Sequence, residues 1–184
     1  MAVITLANQL TLLRMLLIPA FVILTAYHFL GWALVTFVVA GVTDMLDGVI
    51  ARWSNERTKI GAWLDPAADK LLLLTAFVVL TLPELNLTNK LPIWLTVVVI
   101  SRDVIIVLTV AIVNLAVGPR TFLPSVFGKL ATGTYVVTTV IVMTFNYLEQ
   151  KSAAVDVCIY ASLLIALVSG LHYIAHAARV VNRR

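Results

Sequence analysis

Charged side chains are scarce in this sequence. There are 13 Lys and Arg and 9 Asp and Glu among 184 residues, or 12%, where a soluble domain carries about a quarter. With 61% of residues hydrophobic and a mean hydropathy of +1.03, water is excluded as the main solvent, and no stretch is polar enough to stand as a separate soluble domain. Cysteine is almost absent. Cys158 is the single one and lies in an apolar run, which excludes an intramolecular disulfide or a cysteine metal cluster and reads as a packing residue. A basic n-region and a small-residue cleavage site are also missing from the start of the chain, so the first apolar stretch is expected to remain as the first helix rather than to be removed as a signal. No internal repeat or low-complexity segment is visible.

What fills the chain is long apolar runs separated by short breaks. Hydropathy and breakers predict spans at 9–28, 29–51, 66–83, 91–114, 126–147 and 154–178, each near the ~20 residues that a bilayer core requires. The expected fold is therefore all-α: a polytopic membrane protein of six transmembrane helices, preceded by a short N-terminal interfacial segment, with residues 1–184 forming one domain. The first two spans are joined at His28 to Gly31 by a turn too short to hold much chemistry. In contrast, Arg52 to Pro66 contains Arg52, Ser54, Asn55, Glu56, Arg57, Thr58 and Lys59 and reads as a polar loop at an aqueous face. A second polar connection runs from Asn114 to Ser125.

Six spans put both termini on one side. That side would carry Arg52, Arg57, Lys59, Lys70, Arg120, Lys129, Arg179, Arg183 and Arg184, with Arg14 early in the first span, against Lys90 and Lys151 on the other. Basic residues collect on the cytoplasmic side, so the termini and the Arg52 loop are expected to be cytoplasmic, while 82–90 and 147–152 face outward. The net charge of +4 follows this asymmetry and suits anionic lipid headgroups, not nucleic acid. Trp32, Trp53, Trp63 and Trp94 fall near span ends, as an aromatic belt does. Gly133 and Gly170 are small residues suited to helix packing or a dimer.

Four of the nine acids, Asp44, Asp47, Asp65 and Asp69, crowd into 26 positions at the adjoining ends of the second and third predicted spans. A charge inside a span costs about 2.5–3.5 kcal/mol on insertion scales, so carboxylates in this position call for a compensating cation. At 100° per residue Asp44, Asp47, Gly48, Ala51 and Arg52 fall within an arc of about 140°. Asp65 and Asp69 share a face of the next helix, and the intervening loop lets the two stripes oppose each other. Converging carboxylates are hard oxygen ligands suited to Mg²⁺ or Mn²⁺, with room for two ions, and such ions are suited to a diphosphate. Gly48 and Ala51 allow a bulky ligand close to the backbone, and Arg52 can hold phosphate or a neighbouring carboxylate. Gly61 breaks the loop, and Pro66 suits the first turn of the third helix.

Written out, these residues read D-x-x-D-G-x-x-A-R, eight residues, then G-x-x-x-D-x-x-x-D, from Asp44 to Asp69. The pattern resembles the signature of the CDP-alcohol phosphotransferase family at every specified position. That resemblance implies that Asp44, Asp47, Asp65 and Asp69 bind divalent metal, and that Asp47, Gly48, Ala51, Arg52, Thr58 and Gly61 line a CDP site. It also implies that Asp69 doubles as the general base, taking the proton from an acceptor hydroxyl that attacks CDP-diacylglycerol and releases CMP. The family further implies a homodimer and an integral protein of a bacterial inner or cell membrane.

The acceptor must be read outside the signature. Arg102, beside Asp103, lies near the middle of the fourth span, where an arginine is a functional candidate by default, although pairing with Asp103 would also account for it. Lys129 opens the fifth span and Arg120 lies on the polar connection before it, and all three are candidates for an anionic acceptor. Asn8 to Arg14, followed by Leu17-Ile18-Pro19, resembles the opening of the phosphatidylglycerophosphate synthases of that family, which adds Asn8 and Arg14 as weaker site candidates. Ser101-Arg102-Asp103 resembles their Ala-Arg-Glu, with Asp in place of Glu. Cardiolipin synthases share much of this opening. Glycerol 3-phosphate is the first-choice acceptor, phosphatidylglycerol the second, and inositol phosphate or serine follow. An ion transporter would disperse its acids and show inverted repeats, and a prenyltransferase would carry a second aspartate motif. His172 and His176 are four apart with no third ligand in view and read as packing or headgroup contacts.

Overall fold

In the computed structural model the backbone is described for residues 6–53, 61–117 and 126–182, with side chains for residues 9, 11–44, 70–109 and 126–175. Among the described residues there are helices and no strands. They are α1 (Leu6–Ala26), α2 (Leu30–Trp53), α3 (Gly61–Thr81), α4 (Ile93–Val117), α5 (Val126–Tyr147) and α6 (Ala153–Asn182), with one 3-10 turn at Pro83–Leu85. Each predicted span has its helix, with ends that differ by a few residues. The largest difference is at α3, which starts at Gly61 and so places Pro66 in its sixth position and not in the first turn. A proline there removes one intrahelical hydrogen bond. The N-terminal interfacial segment was expected before the first span; residues 1–5 lie outside the described residues.

Two compact units divide the chain. One comprises residues 1–90 and 142–151, the other 91–141 and 152–184. In the first unit α1 packs on α2 and α3, and α2 on α3. Ala33, Phe37 and Ala40 recur on one face of α2 and are buried with Phe21, Ala76, Phe77 and Leu80. The rings of Phe21 and Phe37 are 5.8 Å apart and tilted by 52°, a favourable aromatic geometry.

The α1–α2 hairpin turns on His28, at φ 62°. Its amide donates to the Thr25 carbonyl at 3.1 Å and the next amide, of Phe29, to that of Leu24 at 2.8 Å, the paired bonds that close a helix through one left-handed residue. The end of α5 repeats this. Glu149 is at φ 53°, and the amides of Glu149 and Gln150 donate to Asn146 and Phe145 at 3.2 and 3.1 Å. Gly31 lets the Tyr147 ring lie against the first turn of α2, because a Cβ there would meet that ring at 2.9 Å.

The connection between α3 and α4 joins the same end. Asn146 accepts from the Asn89 amide at 2.7 Å and donates to the Asn89 carbonyl at 2.9 Å, while the Asn89 side chain donates to the Gln150 carbonyl at 2.8 Å. The turn before α2 and the segment 82–90 are thus both joined to residues 146–150 within this unit.

In the second unit α4 packs on α6. Leu95, Val99, Ala131, Ile159 and Ala166 are buried there, the Thr138 and Ser162 hydroxyls lie 2.8 Å apart, and Trp94 rests near Tyr160 at 6.5 Å between rings. Cys158 is a free, half-buried thiol whose carbonyl accepts from Thr138 at 3.4 Å. The Phe127 and His172 rings are 4.7 Å apart, in keeping with His172 as a packing residue.

The distribution of polarity suits lipid better than water. Leu16, Trp32, Leu164 and Leu171 are exposed, while Thr11, Arg14, Thr138, Asn146, Ser162 and Ser169 are buried. Threonine hydroxyls are satisfied within their own helices, as Thr25 is by Phe21, Thr36 by Trp32, Thr81 by Phe77 and Thr139 by Tyr135, the economical solution where no water is at hand. By length and composition, Val126–Tyr147 and Ala153–Ala175 are long and apolar enough to cross a membrane. Shorter apolar stretches occupy Thr11–Ala26, Leu30–Asp44 and Lys70–Thr81 among the described residues.

Replacing Asn146 by Leu is expected to leave the amide and carbonyl of Asn89 unpaired, at about 1–3 kcal/mol each for a buried group. A lowered thermal midpoint in mild detergent, relative to an exposed control such as Val137→Leu, would register that loss.

Candidate active site

The acidic cluster divides between the last turns of α2 and the first turns of α3. The two helices pack on each other in the first unit, and Asp44, Asp47, Gly48, Ala51 and Arg52 all lie on α2, with Gly61, Asp65 and Asp69 on α3. Among these, the side chain of Asp44 is described. Those of Asp47, Gly48, Ala51, Arg52, Gly61, Asp65, Asp69 and Asn8 lie outside the described residues, as do Thr58 and Arg120 altogether.

The Asp44 carboxylate forms an ion pair with the Arg14 guanidinium, Nη1 to Oδ1 at 2.6 Å, and the Arg14 side chain is fully buried while that of Asp44 is about one-third exposed at 34%. Arg14 lies on α1, so the pair ties the first helix to the acidic end of the second. Its chemistry has two parts. The buried cation fixes the carboxylate, and the exposed part of the carboxylate leaves it reachable by a ligand. A positioned carboxylate oxygen is the kind of donor that a hard divalent cation takes. No group of three or more possible metal-ligating side chains occurs among the described residues, whose number includes just one of the four aspartates.

Arg14 entered as a weaker candidate, and its contact with Asp44 makes it part of the candidate site. The sequence signal was present: a cation inside an apolar span must find an acid. Nothing in the linear order pointed to a partner 30 positions away.

Arg102 is buried at 9% exposure in the second unit. Its Nη1 donates to the Asp103 carboxylate at 2.6 Å and its Nη2 to the Ser169 hydroxyl, while its stem packs 3.6 Å from where a Cβ on Gly170 would stand. Pairing with the neighbouring acid, one of the two arrangements anticipated for Arg102, is therefore the one adopted. Ser169 was not foreseen, because a serine in an apolar helix gives no signal until the helix opposite is known. Lys129 is exposed in the first turn of α5, and no hydrogen bond or ion pair joins it to Arg102 among the described residues.

Comparison with known proteins supplies the wider frame. A family model described as CDP-alcohol phosphatidyltransferase matches residues 4–180. A Mycobacterium tuberculosis protein named "Probable phosphatidylglycerophosphate synthase" is 33% identical over 186 aligned positions, covering 96% of this chain and 83% of that protein. The human "Cardiolipin synthase (CMP-forming)" is 41% identical over 107 positions, 58% of this chain and 34% of that protein. A Streptomyces coelicolor protein of the same name is 37% identical over 118 positions, 61% of this chain and 53% of that protein.

Removing the Asp44 carboxylate takes from the buried guanidinium its contact at 2.6 Å. Asp44→Ala is expected to destabilise the protein by about 3 kcal/mol, the low end for a broken buried pair because Asp44 is partly exposed. The double variant Arg14→Met, Asp44→Leu should recover most of that stability without activity, as measured by thermal unfolding beside an assay of CMP release.

Proposed function

The chain belongs to the CDP-alcohol phosphatidyltransferase family, and from that premise we propose that it transfers the phosphatidyl group of CDP-diacylglycerol to glycerol 3-phosphate, forming phosphatidylglycerol phosphate and CMP. The enzyme class, a transferase of a membrane-associated family, follows from membership itself. The acceptor rests on the reach of the similarity. The match to the relative named as a phosphatidylglycerophosphate synthase runs along 96% of the chain, whereas those to the human and Streptomyces cardiolipin synthases stop at 58% and 61%. A second reading has phosphatidylglycerol as the acceptor and cardiolipin as the product, and the higher local identity of 41% to the human enzyme favours it.

In the proposed mechanism the nucleotide lies along the small-residue face of α2. Gly48 and Ala51 give the cytidine diphosphate access to the helix, Arg52 bonds its phosphates, and Asp47, Thr58 and Gly61 complete the pocket. Asp69 takes the proton of the acceptor hydroxyl. The oxygen then forms its bond to the phosphatidyl phosphorus as the bond to the bridging oxygen breaks, and CMP leaves with that electron pair. The family works with divalent metal ions, and Mg²⁺ or Mn²⁺, as two ions held by Asp44, Asp47, Asp65 and Asp69, would neutralise charge on the departing phosphate. Arg14 acts as a positioning residue by orienting Asp44. Lys129 and Arg120 bind the acceptor phosphate, and Arg102 joins them when phosphate takes the place of Asp103 on Nη1.

The same proposal holds that residues 1–184 act as one domain with six membrane-crossing helices, that the acidic ends of α2 and α3 and both termini face the cytoplasm, and that the enzyme works as a homodimer. The bias of lysine and arginine supports the orientation, and exposed apolar residues such as Leu16, Leu164 and Leu171 support the membrane setting.

Activity should require Mg²⁺ or Mn²⁺ and vanish in EDTA, and Asp47→Asn, Asp65→Asn and Asp69→Asn should each cut turnover about 100-fold or more. Full activity in chelator would refute the metal assignment. The acceptor is tested by supplying CDP-diacylglycerol with glycerol 3-phosphate, phosphatidylglycerol, inositol phosphate or serine and identifying the lipid formed. Lys129→Gln should raise the apparent KM for glycerol 3-phosphate about 10–150-fold, the equivalent of one charge-assisted hydrogen bond, with little change in that for CDP-diacylglycerol. In a Cys158→Ser background, Asn55→Cys should react with an impermeant thiol reagent from the cytoplasmic side and Glu84→Cys from the other. Reversed labelling would overturn the orientation.

A further inference from the structure

Arg102 is held from two helices at once. Its Nη1 donates to Asp103, the next residue of α4, and its Nη2 to the hydroxyl of Ser169 on α6, 67 positions away in the chain. Small residues give it that reach. Ser169 is itself buried, at 1% exposure, and at the neighbouring Gly170 a Cβ would stand 3.6 Å from Arg102 Cγ, so the arginine stem lies close against α6. The two contacts constrain different things. Asp103 shares a helix with Arg102, so their pair sets the side chain only against its own backbone. Among the described residues, Ser169 is the group that ties this guanidinium by a hydrogen bond to a second helix.

The contacts also differ in charge. Asp103 offers a carboxylate to Nη1, the nitrogen assigned above to the acceptor phosphate, so the two anions compete for one place. Ser169 is neutral and takes one of the two N–H groups on Nη2, which leaves the other for a ligand. A phosphate spanning Nη1 and Nη2 is the bidentate geometry that a guanidinium favours. Nothing in this exchange requires the Ser169 bond to break, and while it stands the guanidinium does not follow either anion. We propose that Ser169 is a positioning residue for the acceptor, holding Arg102 Nη2 at α6 while Asp103 and phosphate trade places on Nη1. This role rests on the assignment of Arg102 to the acceptor phosphate, and it goes beyond that assignment in naming what fixes the arginine.

The test is steady-state kinetics of CMP release by the full-length enzyme. It uses whichever of glycerol 3-phosphate, phosphatidylglycerol and inositol phosphate the wild type accepts, since each carries a phosphate. Ser169→Ala removes the hydroxyl. Ser169→Cys keeps nearly the same shape but offers only a weak sulfur acceptor, so it separates hydrogen bonding from packing. Both should raise the apparent KM for the acceptor about 3–10-fold, the equivalent of one hydrogen bond. Turnover and the KM for CDP-diacylglycerol should stay within about twofold of wild type. Arg102→Gln should raise the acceptor KM further, and adding Ser169→Ala to it should change nothing more, because a residue that acts through Arg102 has no effect without it.

An acceptor KM that rises in Arg102→Gln but not in the two Ser169 variants would overturn the positioning role and leave the Arg102 assignment standing. A wild-type KM in Ser169→Cys would assign the serine to packing, and additive effects in the double variant would show that it acts apart from Arg102; either result overturns the proposal. An acceptor KM unmoved by Arg102→Gln, or a wild type that accepts none of the three phosphates, would remove the Arg102 assignment and the role of Ser169 with it.

Discussion

A guanidinium with no exposed surface survives in an apolar protein when a carboxylate meets it, and the Arg14–Asp44 pair is the constraint on which the packing of α1 against the acidic end of α2 depends. Desolvating the two charges costs several kcal/mol, and their attraction returns that free energy only at contact distance, here 2.6 Å. The pair therefore fixes α1 against α2 at a defined height. The element that meets the first acid of the signature is the helix with no signature residue of its own.

At the opposite end of the same unit the constraint is hydrogen bonding rather than charge. Chain reversals need backbone groups satisfied where water is limited. His28 and Glu149 adopt left-handed conformations to close α1 and α5, and Asn146 holds both backbone groups of Asn89. Gly31 lets the Tyr147 ring approach the first turn of α2. One end of the unit is thus tied by neutral contacts and the other by an ion pair, which divides architecture from chemistry along the helices.

Helix type and approximate extent were legible among the described residues because a long apolar run bounded by breakers can satisfy its backbone internally as a helix. The spans at 126–147 and 29–51 lie within two residues of α5 and α2. The start of α3 lies five residues before the expected 66 because the helix accommodates Pro66 in its sixth position and not in its first turn. Turn chemistry at His28 was legible as a short hairpin but not as a left-handed cap, since histidine carries no such signal on its own. The aspartate signature was legible because chemistry requires several residue types at fixed spacing. Arg14 was not given its weight, because the spacing between partners on different helices is set by packing, which has no period in the sequence.

Arg102 shows what the same reasoning leaves open until a structure is seen. A lone arginine in a span invites a functional reading, yet its neighbour Asp103 neutralises it, and the interaction with Ser169 uses a second nitrogen. An anionic ligand at Nη1 must therefore displace Asp103, so the free energy it gains there is reduced by that of the contact it breaks. Arg14 and Arg102 are both buried arginines paired with an aspartate, but the Asp44 side chain is 34% exposed and that of Asp103 17%. The exposure of the acid, and not the presence of the charge, separates a carboxylate left open to a ligand from one spent on its arginine.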